Sequence, residues 1–208
     1  MSKDWTGNSR SYASVLGARN FAVEERETHD YYATDPKSLE ILLERLKKDK
    51  IVLNNSIWEC SCGEGHLSKV LEENNYTVTN TDLIDRGYNK NFQQLDFLKT
   101  YIEFDGDILT NPPYKYAKDF VEHSIECIKN NNYVIMFLKL QFLEGKARRK
   151  LFDKYPPKYV YVFSERQRCA MNGEFSKYKN NGATHGAVAY CWFIWQKGYN
   201  GEPTIRWI

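Results

Sequence analysis

Between residues 56 and 163, short apolar runs alternate with stretches in which apolar residues return every three or four positions. Short continuous apolar runs suit buried strands, and a spacing near 3.6 suits one face of a helix. The alternation therefore predicts strand–helix–strand units that build a parallel sheet. Ser56 to Cys60 reads as a strand, His66 to Glu73 as a helix with Leu67, Val70 and Leu71 on one face, and Tyr76 to Thr81 as a second strand ending at Asp82. Asp107-Ile108-Leu109 is a short strand and Ala117 to Ile128 a helix. Asn132 to Leu138 is strongly apolar, as expected of a strand covered on both faces. A basic helix from Leu143 to Lys154 and strands at Lys158 to Phe163 and Ala187 to Trp195 follow. The expected fold is a doubly wound, mostly parallel α/β sheet with an antiparallel C-terminal edge. Ahead of it, Asp35-Pro36 can cap and open a helix that carries Leu39, Leu42, Leu43 and Leu46.

The chain has 208 residues, the length of one domain, with 42% hydrophobic and 27% charged residues and a net charge of +2. That balance excludes a disordered chain. No run approaches 18 apolar residues and the first 30 lack an apolar leader core, so neither a membrane span nor a secretory signal is expected. Five scattered cysteines suit a reducing cytoplasm better than a disulfide framework. Cys60 and Cys62 have no matching second pair, so no metal site is expected. Residues 1–30 are polar and read as an N-terminal arm.

Two segments at strand ends carry candidate chemistry. The first is Glu59-Cys60-Ser61-Cys62-Gly63-Glu64-Gly65, placed between a strand and a helix, where α/β sheets bind ligands. Asp82 stands seventeen residues beyond Gly65, near the offset at which an acid meets a ribose hydroxyl in nucleotide-binding sheets. Close packing of helix on strand accounts for the two glycines equally well. The third glycine of the dinucleotide pattern is missing, which disfavours a pyrophosphate relative to a smaller adenosine-bearing ligand. The second segment is Asn111-Pro112-Pro113-Tyr114. Its prolines fix φ and stiffen the chain around them. The Asn111 amide and Pro112 carbonyl are acceptors that can converge on one NH₂ group, and Tyr114 offers a flat face to a ring.

On these residues the chain resembles S-adenosylmethionine-dependent methyltransferases of exocyclic amines, in particular phage- and prophage-type DNA adenine-N6 enzymes. The motif-by-motif resemblance covers roughly residues 31 to 163. It implies a seven-stranded Rossmann-like sheet and assigns roles by position. Thr34, within Tyr31-Tyr32-Ala33-Thr34-Asp35-Pro36, would hold the methionine carboxylate of the cofactor. Glu59, Ser61, Gly63 and Gly65 match the first motif; Asp82 would bind the ribose, and Asp96 and Phe97 the adenine. Asn111, Pro112, Pro113 and Tyr114 would be the catalytic tetrapeptide. Turn and helix-cap roles for Thr34 and Asp96 remain open.

The chain departs from restriction-type relatives in lacking a separate target-recognition domain, so residues 31–208 are expected to form one methyltransferase domain. The polar stretch Ser164 to Gly186 is long for a plain connection. Its Arg166, Arg168, Lys177 and Lys179 are candidate nucleic-acid contacts, and Lys146, Arg148, Arg149 and Lys150 form a second basic cluster. The expected substrate is adenine N6 in DNA, in the cytoplasm of a bacterial host. RNA adenine-N6, a protein glutamine amide, or a catalytically silent nucleic-acid-binding protein are the alternatives.

Overall fold

The structure, a computed structural model, describes residues 32–165, 167, 169–171 and 188–208. The expected N-terminal arm lies outside them. Among the described residues, ten strands and four α-helices follow in chain order: β1 (Tyr32–Thr34), α1 (Pro36–Lys48), β2 (Ser56–Glu59), α2 (His66–Glu73), β3 (Thr77–Asp82), β4 (Phe92–Gln94), β5 (Asp107–Thr110), α3 (Ala117–Cys127), β6 (Tyr133–Lys139), α4 (Lys146–Lys154), β7 (Tyr159–Val162), β8 (Cys169–Met171), β9 (Tyr190–Gln196) and β10 (Thr204–Trp207).

Eight of the strands form one sheet in the order β10-β7-β9-β6-β5-β2-β3-β4, while β1 and β8 pair antiparallel as a separate ribbon. The neighbours from β6 through to β4 are parallel. The antiparallel element expected on the C-terminal side is β9, which runs against β6 on one side and β7 on the other. The outermost strand, β10, is again parallel to β7. The sheet thus has one strand more than the seven expected. Both edge strands, β4 and β10, are short and mostly polar or exposed. Apolar pattern is a weak guide to strands of that kind.

Alternation along each strand sends side chains to two separate cores. Ile57, Leu109, Ile135, Phe137, Trp192 and Ile194 meet Leu39, Leu42 and Leu46 of α1 and Leu67, Val70 and Leu71 of α2. Trp58, Ile108, Val134, Met136, Phe193 and Trp195 meet Phe120, Val121 and Ile125 of α3 and Leu151 of α4. Each fully buried Leu, Ile or Phe contributes about 1.5–3 kcal/mol through the apolar surface it removes from water. Helix α1 starts as its sequence dictates: the Asp35 carboxylate accepts from the Lys37 N–H at 3.0 Å, and Pro36 occupies the first turn.

The far end of α1 is tied to the sheet edge by charge. Asp49 accepts hydrogen bonds from Arg45 (2.9 Å) and the Tyr161 hydroxyl (2.7 Å) and pairs with Arg206 of β10. Burial acts to raise the Asp49 carboxyl, but the hydrogen bonds from Arg45, Tyr161 and Arg206 outweigh it and hold it down at about 2. A depressed acid stabilises the fold above its unfolded-chain value, near 4, and loses that contribution as pH falls toward 2. Asp49→Asn is therefore expected to lower stability at pH 7 by about 1.5–3 kcal/mol, the range for hydrogen bonds to charged groups. Urea unfolding should show the gap from the parent protein closing between pH 4 and 2.

Candidate active site

The chain builds β2, β3 and β4 outward in one direction and then returns to place β5 on the other side of β2. The connections leaving β2 and β5 therefore diverge, and a crevice opens at their carboxyl ends, where open α/β sheets bind ligands. Both sequence motifs sit there. The loop after β2 runs from Cys60 to Gly65, and Asn111 to Tyr114 directly follow β5.

A hydrogen-bond network joins the two motifs. The Ser61 hydroxyl lies 2.5 Å from the Thr110 hydroxyl and donates to the Asn111 carbonyl at 3.2 Å. The Gly63 N–H donates to one Asp82 carboxylate oxygen at 2.8 Å, and the Ile84 N–H to the other at 3.1 Å. The Cys62 N–H reaches the Thr81 carbonyl at 3.0 Å. Ser61, Gly63, Asp82 and Asn111 are thus brought together by direct contacts. A carboxylate offers about four lone-pair sites, so Asp82 keeps acceptor capacity beyond its two amides.

Gly65 has φ +74°, and a Cβ there would meet the ring of Tyr88 at 2.4 Å. The close approach that demands this glycine is thus made by Tyr88, so packing accounts for Gly65 within the chain itself. The Tyr88 hydroxyl donates to Glu72 of α2 at 3.2 Å, which fixes the ring against the loop.

Glu59 is buried, and its Oε1 has no hydrogen-bond partner. Burial pushes its carboxyl up to about 8, with the Asp82 charge adding to the rise and the nearby Thr110 hydroxyl and Ser61 amide opposing it. Thr34, at the end of β1, is also buried with an unpartnered hydroxyl. The β1 strand packs against α2, and Asp35 lies close enough to His66 for its charge to act on that ring. Burial, the larger influence, keeps the His66 pKa below its ordinary value.

Asp96 precedes a one-turn 3₁₀ helix without capping it and pairs with Lys99 at 2.9 Å. Phe97 is a core residue, 2% exposed, packed edge-on against Trp58 at 5.1 Å and His123 at 4.8 Å. Pro112 is buried, while Asn111, Pro113 and Tyr114 are half-buried at the rim. Arg166, Arg168, Lys177 and Lys179 lie outside the described residues.

Two rim residues went unnoticed in the sequence. Tyr190, which opens β9, tilts against Tyr114 with ring centroids 6.1 Å apart and stacks on Phe137 at 5.1 Å. Its cross-strand partner is Lys139, the last residue of β6, whose ammonium lies over the Tyr114 ring at 4.8 Å. The one available signal was position: each stands where an apolar run meets a polar segment.

Comparison with known proteins bears on the fold. No protein-family model and no curated protein matches the sequence. Among solved structures, the chain is similar to a Listeria monocytogenes protein described as a class I S-adenosylmethionine-dependent methyltransferase, with TM-score 0.60 and 12% identity over 95% of this chain and 70% of that one. It is also similar to a Pyrococcus horikoshii protein described as an RNA methyltransferase, with TM-score 0.54 and 10% identity over 90% and 98% of the two chains. The type IIG restriction endonuclease BpuSI matches with TM-score 0.54 and 13% identity, over 80% of this chain and 25% of the larger one. The fold is the Rossmann-like fold of class I methyltransferases.

The raised Glu59 carboxyl has a measurable consequence. An acid whose folded pKa exceeds its unfolded value (4.5) stabilises the fold fully below that value and loses the contribution as pH climbs toward about 8. Glu59→Gln, which mimics the protonated acid, is expected to flatten the fall in melting temperature of the ligand-free protein between pH 5 and pH 8.5. Parallel curves for parent and variant would refute a buried, late-titrating Glu59.

Proposed function

We propose that the chain is an S-adenosylmethionine-dependent N-methyltransferase acting on an exocyclic amine, namely adenine N6 in DNA. The observation that carries this reading is the Ser61 bridge, which fastens the nucleoside-binding loop to the Asn111-Pro112-Pro113-Tyr114 segment across β2 and β5. Two features of the site fit the cofactor: the buried, unpartnered oxygens of Thr34 and Glu59, and the spare acceptor capacity of Asp82 at the tip of the neighbouring strand. The similarity in fold to the Listeria protein and to BpuSI supports the same reading.

Thr34 would hold the carboxylate of the cofactor's methionine end, Asp82 the ribose hydroxyls and Asp96, two residues beyond the adjoining strand β4, the adenine. When bound, S-adenosylmethionine supplies an electrophilic methyl group. The chain's own residues prepare the amine. Asn111 and Pro112 accept its two hydrogens and turn the nitrogen lone pair, otherwise delocalised into the ring, toward the donor. In a duplex the base must leave the stack, at a cost of a few kcal/mol, of which stacking on Tyr114 offsets about 1–3 kcal/mol. The methylated nitrogen is acidic enough to lose its proton without a strong base, so rate comes from position and fixed dipoles. Cys60, Cys62, Cys127 and Cys191 are buried free thiols, which suits work in a reducing cytoplasm.

Transfer of tritiated methyl from S-adenosylmethionine to unmethylated genomic DNA, with RNA and protein extract alongside, tests the reading when followed by nucleoside mass spectrometry. N6-methyladenine in DNA is the expected product; label in RNA or protein alone would transfer the chemistry to another substrate. Asn111→Ala should cut transfer by about 10²–10³, as loss of one preorganised polar group does elsewhere, and leave cofactor affinity nearly intact. Asp82→Ala should show the opposite order, with cofactor affinity falling about 10- to 100-fold through loss of charge-assisted hydrogen bonds. Calorimetry separates the two, and an unchanged dissociation constant for Asp82→Ala would remove that residue from the cofactor site.

A further inference from the structure

We infer that Lys139 grips the phosphate backbone next to the target base, which makes a nucleic-acid strand, and not a peptide amide, the substrate of this site. The inference rests on the reading that Tyr114 receives the target ring. Three observations carry it. The Lys139 ammonium lies over the Tyr114 ring at 4.8 Å, on the aromatic group that would stack the target. Among the described residues no carboxylate pairs with it, whereas Lys90, Lys99, Lys118, Lys129 and Arg149 are each held by one. Its backbone is held by the β6–β9 ladder opposite Tyr190, so the stem rises from a fixed point at the carboxyl edge of the sheet.

A ring that settles on Tyr114 displaces the ammonium from the aromatic face. The displaced ammonium is then available to an anion that the substrate brings, since no carboxylate among the described residues pairs with it. A nucleotide brings one within its own structure, since every base carries a phosphodiester on each side; a glutamine side chain brings none. Lys115, also without a carboxylate partner among the described residues, stands beside Tyr114 with its ammonium over Tyr116 at 5.2 Å and lends the same rim a second positive charge. The ring-bound position of Lys139 is thus the resting state of a phosphate contact, and the strand that fills the site completes it.

The test is the salt dependence of binding, measured by fluorescence anisotropy with full-length protein, S-adenosylhomocysteine, and labelled twelve-residue oligo(dA), oligo(rA) and oligo(dT). One lost phosphate contact lowers the slope of log K against log salt by about 0.7 on a single strand. For Lys139→Met the slope on an adenine strand should fall by about that amount, with affinity at low salt reduced about three- to tenfold. Lys139→Arg should restore both, and Lys129→Met, at the opposite end of the sheet, should change neither. A larger effect on oligo(dA) than on oligo(rA) assigns the phosphate to DNA, and the reverse to RNA. Equal slopes for parent and Lys139→Met on both adenine strands would overturn the inference even if DNA is methylated. Label appearing only in protein amides in the transfer assay would overturn it too. Lys139-dependent binding without methyl transfer to any substrate would leave it standing and defeat the enzymatic reading alone.

Discussion

A strand covered on both faces can present polar chemistry only at its ends, and that constraint organises this molecule. Strands β2, β5, β6 and β9 send alternate side chains into two cores, one roofed by α1 and α2 and the other by α3 and α4. Nothing along their middles is available to a ligand. Polar residues fall at the strand ends, and at the carboxyl termini Glu59, Asp82, Thr110 and Lys139 each close a strand. The topology then decides which termini meet. Because the chain reverses direction across the sheet between β4 and β5, the ends of β2 and β5 face one crevice, and Ser61 spans it.

Much of this was legible in the sequence because burial leaves a pattern. Helix α2 has the expected limits, His66 to Glu73, since a glycine stands at one end and polar residues at the other. The run from Val134 to Leu138 lies wholly within β6. What escaped has a common cause. Phe92–Gln94 and Thr204–Trp207 are held by backbone pairing at the sheet margins, where side chains carry little record of it. Lys139 and Tyr190 are neighbours only through the antiparallel register of β6 and β9, fifty-one residues apart in sequence. Phe97, expected to meet the cofactor adenine, packs edge-on against Trp58, a contact that the acid–aromatic pair in the sequence does not reveal.

The candidate site also shows that one glycine can serve structure within a functional loop. Gly65 lies in the loop proposed to hold the cofactor, yet the atoms that forbid a side chain there belong to Tyr88. That ring braces the loop from behind through Glu72, while the Gly63 amide anchors its front to Asp82. The loop is thereby held on both sides before any ligand arrives, a condition that reduces the ordering cost of binding.

The place of β9 bears on how the sheet is assembled. It lies between β6 and β7, although both precede it in the chain, and the three are joined by ladders on either side. During synthesis β6 and β7 emerge with a gap between them that only residues 190–196 can fill. Until then both strands expose unpaired edges, and the long-range pairing that closes them carries the loop-closure cost typical of slow, non-local contacts. Insertion of β9 brings Trp192, Phe193 and Trp195 into both cores at once and sets Tyr190 beside Tyr114. The event that completes the sheet therefore also completes the rim of the site, and no partly folded chain lacking it can present the finished aromatic face.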